Sequence, residues 1–224
     1  EKDEQYFEVF RANYEEYVQR YPNRTHERAV ISTVGKFKAD ELENHLVADK
    51  INVLVVPSND LAYVTGFLTK LNALRPRTYE NHRFVVFGLD GWQEWDNLDI
   101  NYKQRFNVHV VTPNYISYDS TVARNFVMDF RAAYNTEPCE FGFMGYDVTL
   151  YHLMALRNYG TNLSPHLLQS PGTVAATGFN YTKTGEESGY ENEHVTFLWY
   201  HNYQLNPVTK ALFWDEDDEV WERE

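Results

Sequence analysis

At 224 residues the chain holds one large domain or two small ones, and 43% hydrophobic against 24% charged residues makes it globular rather than disordered. A formal net charge of -13 at pH 7 speaks against a nucleic-acid partner, because a phosphate backbone needs a basic surface. The single Cys139 excludes an internal disulfide and a cysteine-cluster metal site, and no apolar run approaches the roughly 18 residues of a membrane helix.

Between positions 4 and 21, Phe7, Phe10, Tyr14, Tyr17, Val18 and Tyr21 recur at i, i+3 and i+4, an amphipathic helix that Pro22 ends. Glu1-Lys-Asp-Glu runs straight into that helix, so the chain is expected to be a fragment of a longer one. Arg28 to Val34 reads as a strand stopped by Gly35, and Asp40 to Val47 as a second helix. Two similar segments follow, Ile51-Asn-Val-Leu-Val-Val-Pro-Ser-Asn59 and Phe84-Val-Val-Phe-Gly-Leu-Asp-Gly-Trp92. Each is a short β-branched run that stops at small or polar residues, the pattern of a buried parallel strand opening into a loop at its carboxyl end. Between them Asn59 or Asp60 can cap a helix whose core face is Leu61, Val64, Leu68 and Leu71. The alternation implies an α/β fold with a doubly wound parallel sheet and right-handed crossovers.

Asn107 to Thr112 is a further strand, closed by Pro113. Tyr118-Asp-Ser-Thr opens a helix carrying Val122, Phe126, Phe130, Ala133 and Tyr134, with Asn135-Thr-Glu-Pro as its stop. Phe141 to Tyr146 reads as a short Gly-rich segment, and Asp147 as the N-cap of a helix ending at Gly160. Helical periodicity then fades, apart from a turn at Pro165 to Gln169. Val195-Thr-Phe-Leu-Trp-Tyr is a strong β run, with a partner expected at Ala211-Leu-Phe-Trp214 and a hairpin turn at Asn206-Pro207. The expected organisation is an α/β domain over 1–140, then a crossover helix, loop-rich segment and returning β-hairpin over 141–214. An acidic tail follows at 215–224.

Catalytic and nucleotide signatures are missing: there is no Walker A sequence, Gly-x-Ser-x-Gly elbow or His-Glu-x-x-His. Phe141-Gly-Phe-Met-Gly145 lacks the order of a dinucleotide fingerprint, and the eight histidines have no ligand spacing, so no cofactor or metal is implied. His109 sits inside a strand pattern and reads as a hydrogen-bonded, half-buried residue. Asp96 to Asn101 lacks the central Gly and terminal carboxylate of a calcium loop and reads as a helix-capping turn. In open α/β sheets ligands bind outside the carboxyl ends of the strands, which singles out the loops at Ser58 and Asp90. Asp90 reads equally as a cap of the next turn and as a contact for a ligand amine or hydroxyl. Trp92 beside it reads as an exposed indole at a cleft mouth, a stacking surface.

The order and spacing of Lys50-Ile-Asn-Val-Leu-Val-Val-Pro-Ser-Asn-Asp60, Phe87-Gly-Leu-Asp-Gly-Trp92, Tyr115-Ile-Ser-Tyr118, Phe143-Met-Gly-Tyr-Asp-Val-Thr149 and Tyr159-Gly160 resemble the periplasmic-binding-protein type 1 fold. More narrowly they resemble its branched-chain amino-acid receptor branch, in the envelope form of Bacteroidetes-type bacteria, over most of residues 1–210. The resemblance implies the second lobe of a two-lobed, non-enzymatic receptor that closes over a small ligand and delivers it to a transporter. Ser58, Asn59 and Asp60 would share one cleft loop, and Asp90, next to Trp92, would meet the ligand amine. Tyr115 would follow the next strand, and Tyr146 and Asp147 match a Gly-Tyr-Asp helix opening that often only caps and packs. The implied partners are an amino acid or similar small molecule and an ABC permease or cell-wall component, in the periplasm or cell envelope. The family's first lobe has no counterpart in the chain, so half a cleft is expected. A second reading is an envelope interaction module that keeps the fold and has lost the ligand. A hydrolase using Asp90 or Asp147 comes third, because no nucleophile–base pair can be assigned.

Overall fold

The computed structural model describes residues 2–22, 42–74, 82–169, 174–185 and 188–208. The strand expected at 28–34, the first residues of the helix at 40–47, the strand at 211–214 and the tail at 215–224 lie outside the described residues. The chain divides into two compact units, one made of Glu1–Val111 with Phe197–Glu224 and the other of Thr112–Thr196.

The first unit opens with helix α1 (Lys2–Arg20) and is built on a five-stranded sheet of order β1-β2-β3-β6-β7. Strand β1 (Ile51–Val55) runs parallel to β2 (Arg83–Gly88), with Ile51 opposite Arg83 and Val55 opposite Phe87. Strand β3 (Val108–Thr112) continues the parallel order, Val86 facing Val108. Parallel neighbours need a crossover, supplied by helix α2 (Leu61–Asn72) and by the short helix α3 (Ile100–Arg105). Asp60 is the N-cap of α2, its Oδ1 accepting the amides of Ala62 and Tyr63 at 2.9 and 3.0 Å. Val64, Leu68 and Leu71 of that helix are fully buried, the i, i+4, i+7 stripe of an amphipathic helix. Phe84, Val86, Val108, Val110 and Leu198 are buried from the strands. The result is the α/β fold with a mostly parallel central sheet that the alternating pattern implies.

Strand β6 (Thr196–His201) pairs antiparallel with β7 (Gln204–Pro207), Leu198 opposite Pro207, so the returning hairpin exists but not where the sequence placed its turn. Asn206 and Pro207 lie in the strand, and the turn is Asn202–Tyr203, both left-handed with φ of 50° and 60°. A two-residue hairpin loop wants positive φ at both central positions because that twist matches the strands. Asn tolerates this conformation; Tyr gives no signal for it. Pro207 fits because β7 ends the strand order, where a missing N–H costs no ladder bond.

In the second unit, helix α4 (Thr121–Tyr134) ends at Asn135, which takes the left-handed C-cap conformation at φ 54°. Helix α5 runs from Glu140 to Tyr159 without a break. The Gly-rich segment expected at 141–146 is therefore its first turns, and Asp147 is an interior residue rather than an N-cap. The reason is burial: Phe143, Asp147, Tyr151 and Ala155 form one i, i+4 buried stripe, and helix interiors tolerate Gly142 and Gly145 when packing favours the helix. Gly160, with φ 63°, ends the helix as expected. A 3₁₀ turn (Ser164–Gln169) and a two-stranded antiparallel ribbon of β4 (Tyr181–Lys183) and β5 (Tyr190–Asn192) complete the unit.

Replacing Tyr203 by Gly removes the left-handed cost at the hairpin turn while keeping the backbone N–H that donates to Gln104 Oε1 at 3.0 Å. The variant should be more stable than the parent by about 0.5–1 kcal/mol in urea unfolding.

Candidate functional site

The loops at the carboxyl ends of β1 and β2 are joined by one side chain. Trp92 lies in a 3₁₀ turn (Asp90–Glu94), is fully buried, and donates its Nε1–H to the Ser58 carbonyl at 2.8 Å. Its ring rests on Gly88, where a Cβ would come within 2.4 Å of the indole, so only glycine lets the ring close over the strand end. Trp92 is thus not the exposed stacking surface expected from the sequence. An indole of that size is worth most when it is buried with its N–H satisfied, and here both conditions hold.

Ser58 is buried, and its Oγ accepts the Asp60 amide at 3.1 Å, an ST-type turn that sets the approach to α2. Asp60 is exposed and uses its carboxylate as the helix cap. Asn59 is exposed at the tip of the loop, with its amide oxygen where a Cβ on Gly91 would stand, 2.9 Å away. Asp90 is half-buried, and its Oδ1 accepts the Gln93 side-chain amide. Its other carboxylate oxygen has no partner among the described residues. Ser58, Asn59, Asp90 and Trp92 are therefore brought together, with Ser58 and Trp92 buried, Asp90 half-buried and Asn59 exposed.

The support beneath this loop was not legible in the sequence. Lys103 of α3 is buried and donates its Nζ to the carbonyls of Trp92 and Trp95 at 3.2 and 3.3 Å and to the Tyr200 hydroxyl at 3.3 Å. All three ammonium donors are used, which is how a buried lysine survives. Burial pushes the Lys103 ammonium below its ordinary range, against the pull of Asp96, and pushes the Tyr200 phenol up to about 12. A lysine in a six-residue helix gives no hint of a tyrosine 97 residues away. His109 is hydrogen-bonded as expected, but fully rather than half buried. It is buried with Nδ1 2.7 Å from the Asn107 carbonyl and packs against Phe87 and Trp199, and burial lowers its pKa.

The second unit holds the remaining candidates. The fully buried Asp147 carboxylate accepts three consecutive amides, Ala175 at 2.7 Å, Ala176 at 2.8 Å and Thr177 at 2.7 Å. It is therefore not a helix cap; it organises the 175–177 loop. The same loop is bridged to Asn114 and takes the Tyr115 amide at the Ala176 carbonyl, 3.1 Å away. Tyr115 is half-buried, and its phenol is raised by burial first and by Asp119 second. Tyr146 is exposed on α5 with its ring 4.5 Å from that of Phe126, a packing contact. Among the described residues no three His, Cys, Asp or Glu side chains gather as a cation site, and no helix is long and apolar enough to cross a membrane.

No family model and no curated protein matches the sequence. In structure the chain is similar to an ABC transporter substrate-binding protein from Desulfitobacterium hafniense in complex with Leu, at 11% identity and a TM-score of 0.41, over 70% of this chain and 43% of that one. It is also similar to a Rhodospirillum rubrum protein described as a branched-chain amino acid ABC transporter, at 15% identity and a TM-score of 0.47, over 76% of this chain and 47% of that one. The chain spans less than half the length of these solved structures.

Asp147→Ala would strand three buried amides, so it should destabilise the chain by on the order of 3 kcal/mol or more, read as a lowered urea midpoint. The Tyr200 phenol holds its proton longer folded than its unfolded value near 10, so its share of stability is whole below pH 10 and is lost as the pH climbs to about 12. Lys103 works in the opposite sense, adding stability as the pH rises towards 10.5. Tyr200→Phe should therefore lose less stability than the parent between pH 10 and 12, measured by urea unfolding at stepped pH.

Proposed function

We propose that this chain is part of a non-enzymatic solute-binding protein of the ABC-transporter type, gripping an amino acid or similar small polar solute at the Asn59 and Asp90 loops. The observation that carries this reading is Asp90: a half-buried carboxylate at the carboxyl end of a parallel strand, one oxygen fixed by Gln93 and the other without a partner among the described residues. Such a group suits a ligand ammonium, and the Asn59 amide beside it supplies a donor and an acceptor. Ser58, Asp60 and Trp92 hold the two loops in register instead of touching solute. Tyr115, half-buried, and Tyr146, exposed, belong to the second unit, and any solute contact by them is proposed for that unit by itself.

The proposed setting is the periplasm or cell envelope, with an ABC permease as the receiving partner. The second reading, an interaction module without a small ligand, draws on a different feature. Phe141 and Leu153 of α5 are 69% and 58% exposed, the sort of apolar surface that a macromolecular partner covers.

Leucine, the amino acid in one of the similar solved structures, is the first ligand to try, followed by other amino acids, small peptides and sugars at millimolar concentration. The expected result is a rise in the thermal midpoint that saturates with ligand and is abolished in Asp90→Asn. An equal rise in Asp90→Asn would contradict the site, and no rise with any solute would favour the interaction module.

A further inference from the structure

Three consecutive side chains of the six-residue helix α3 reach three different parts of the first unit. Lys103 Nζ donates to the Trp92 and Trp95 carbonyls and to the Tyr200 hydroxyl. Gln104 Oε1 accepts the Tyr203 amide from the hairpin turn, and Arg105 Nη1 donates to the Asn72 side-chain oxygen at the end of α2, 2.7 Å away. The helix that carries Lys103 is thus tied on one side to the β6–β7 hairpin and on the other to α2, so its ammonium is presented from a fixed backbone. The Tyr200 ring adds a second hold, with its centre 4.8 Å from Lys103 Nζ.

Both polar groups of the candidate site are registered to the backbone that Lys103 holds. Asp90 opens the 3₁₀ turn, Trp92 is its middle residue and Trp95 lies just past its end. Asn59 Oδ1 lies 2.9 Å from where a Cβ on Gly91 would stand, so a shift of the turn pushes on Asn59 directly. Short 3₁₀ turns have poor internal hydrogen-bond geometry, which leaves more for an outside donor to fix. An apolar chain of the same length would fill the space under the turn without the cost of a buried charge, but it would give no direction. An ammonium offers three donors from one atom, and here each has its acceptor.

We propose that Lys103 is a positioning residue for solute binding: its three bonds to Trp92, Trp95 and Tyr200 hold the Asp90 carboxylate and the Asn59 amide at the spacing a ligand needs. This rests on the solute site at Asn59 and Asp90 and adds what sets its affinity. Binding groups have to be held within about 0.5 Å of their productive geometry by residues that do not touch the ligand, and Lys103, buried beneath the turn, is such a residue. Losing its three donors leaves the strands β2 and β3 in place and lets the turn move relative to the β1 loop. Affinity then falls although the fold does not.

The test pairs a leucine titration with hydrogen exchange at the Trp92 indole, both followed by NMR, in the parent, in Lys103→Met and in the milder Tyr200→Phe. Methionine keeps an unbranched apolar stem and removes the charge. The indole proton should exchange about tenfold faster in Lys103→Met, and less so in Tyr200→Phe, while the Val86 and Val108 amides keep their parental rates. Leucine affinity should weaken in the same order, by about tenfold in Lys103→Met. An indole that exchanges as in the parent would overturn the proposal. So would one that speeds up by the same factor as Val86 and Val108, because that marks a general loss of stability, and so would a faster indole with leucine affinity unchanged. If the parent binds neither leucine nor any other amino acid, the solute reading fails; a locally faster indole in Lys103→Met would still support Lys103 as the group that holds the turn.

Discussion

The candidate site depends on one contact, the buried indole of Trp92 pressed onto Gly88 and hydrogen-bonded to the Ser58 carbonyl. It fixes the loop after β2 to the loop after β1, so that Asn59 and Asp90 are presented side by side by two rigid strand ends. The contact is itself held from below, because the Trp92 and Trp95 carbonyls receive the Lys103 ammonium, which is anchored at the Tyr200 hydroxyl. Buried polar groups are costly unless every one is satisfied, and this chain of donors and acceptors meets that condition. The inward-facing polar residues are used to position the two loops.

The second unit uses the same device with opposite chemistry. A buried carboxylate, Asp147, collects three successive amides of the 175–177 loop. Charge-assisted bonds of this kind fix the loop on which Tyr115 rests through its own amide. A lysine under one loop and an aspartate inside the other thus do work that hydrophobic burial cannot, because burial has no direction.

Strands β2 and β3 were legible because a parallel strand buried on both sides reads as an uninterrupted β-branched run. Strand β1 carries the same run although Ile51, Val53 and Val55 are exposed, and Asp60 was legible as a cap because its chemistry is local. Where partners are distant in sequence, the reading failed. Trp92 was placed at a cleft mouth because nothing near it announces that Ser58, 34 residues earlier, takes its N–H. Asp147 looked like a cap because Gly142 and Gly145 weaken the helical pattern just before it, while the amides it serves lie 28 to 30 residues further on. The hairpin turn was misplaced because Pro207 is a strong turn signal in isolation, whereas the left-handed Asn202–Tyr203 pair is imposed by the strands it joins.

The central claim is that a small solute reaches Asn59 and Asp90 while Trp92 stays beneath them. Amide NMR of the chain during titration with leucine and other amino acids tests this most directly, residue by residue. The Asn59 and Gly91 amides should shift with a saturating dose dependence, and the Trp92 indole proton should remain protected from exchange throughout. Unmoved Asn59 and Gly91 resonances at saturating amino acid, or an indole proton that exchanges freely on binding, would contradict it.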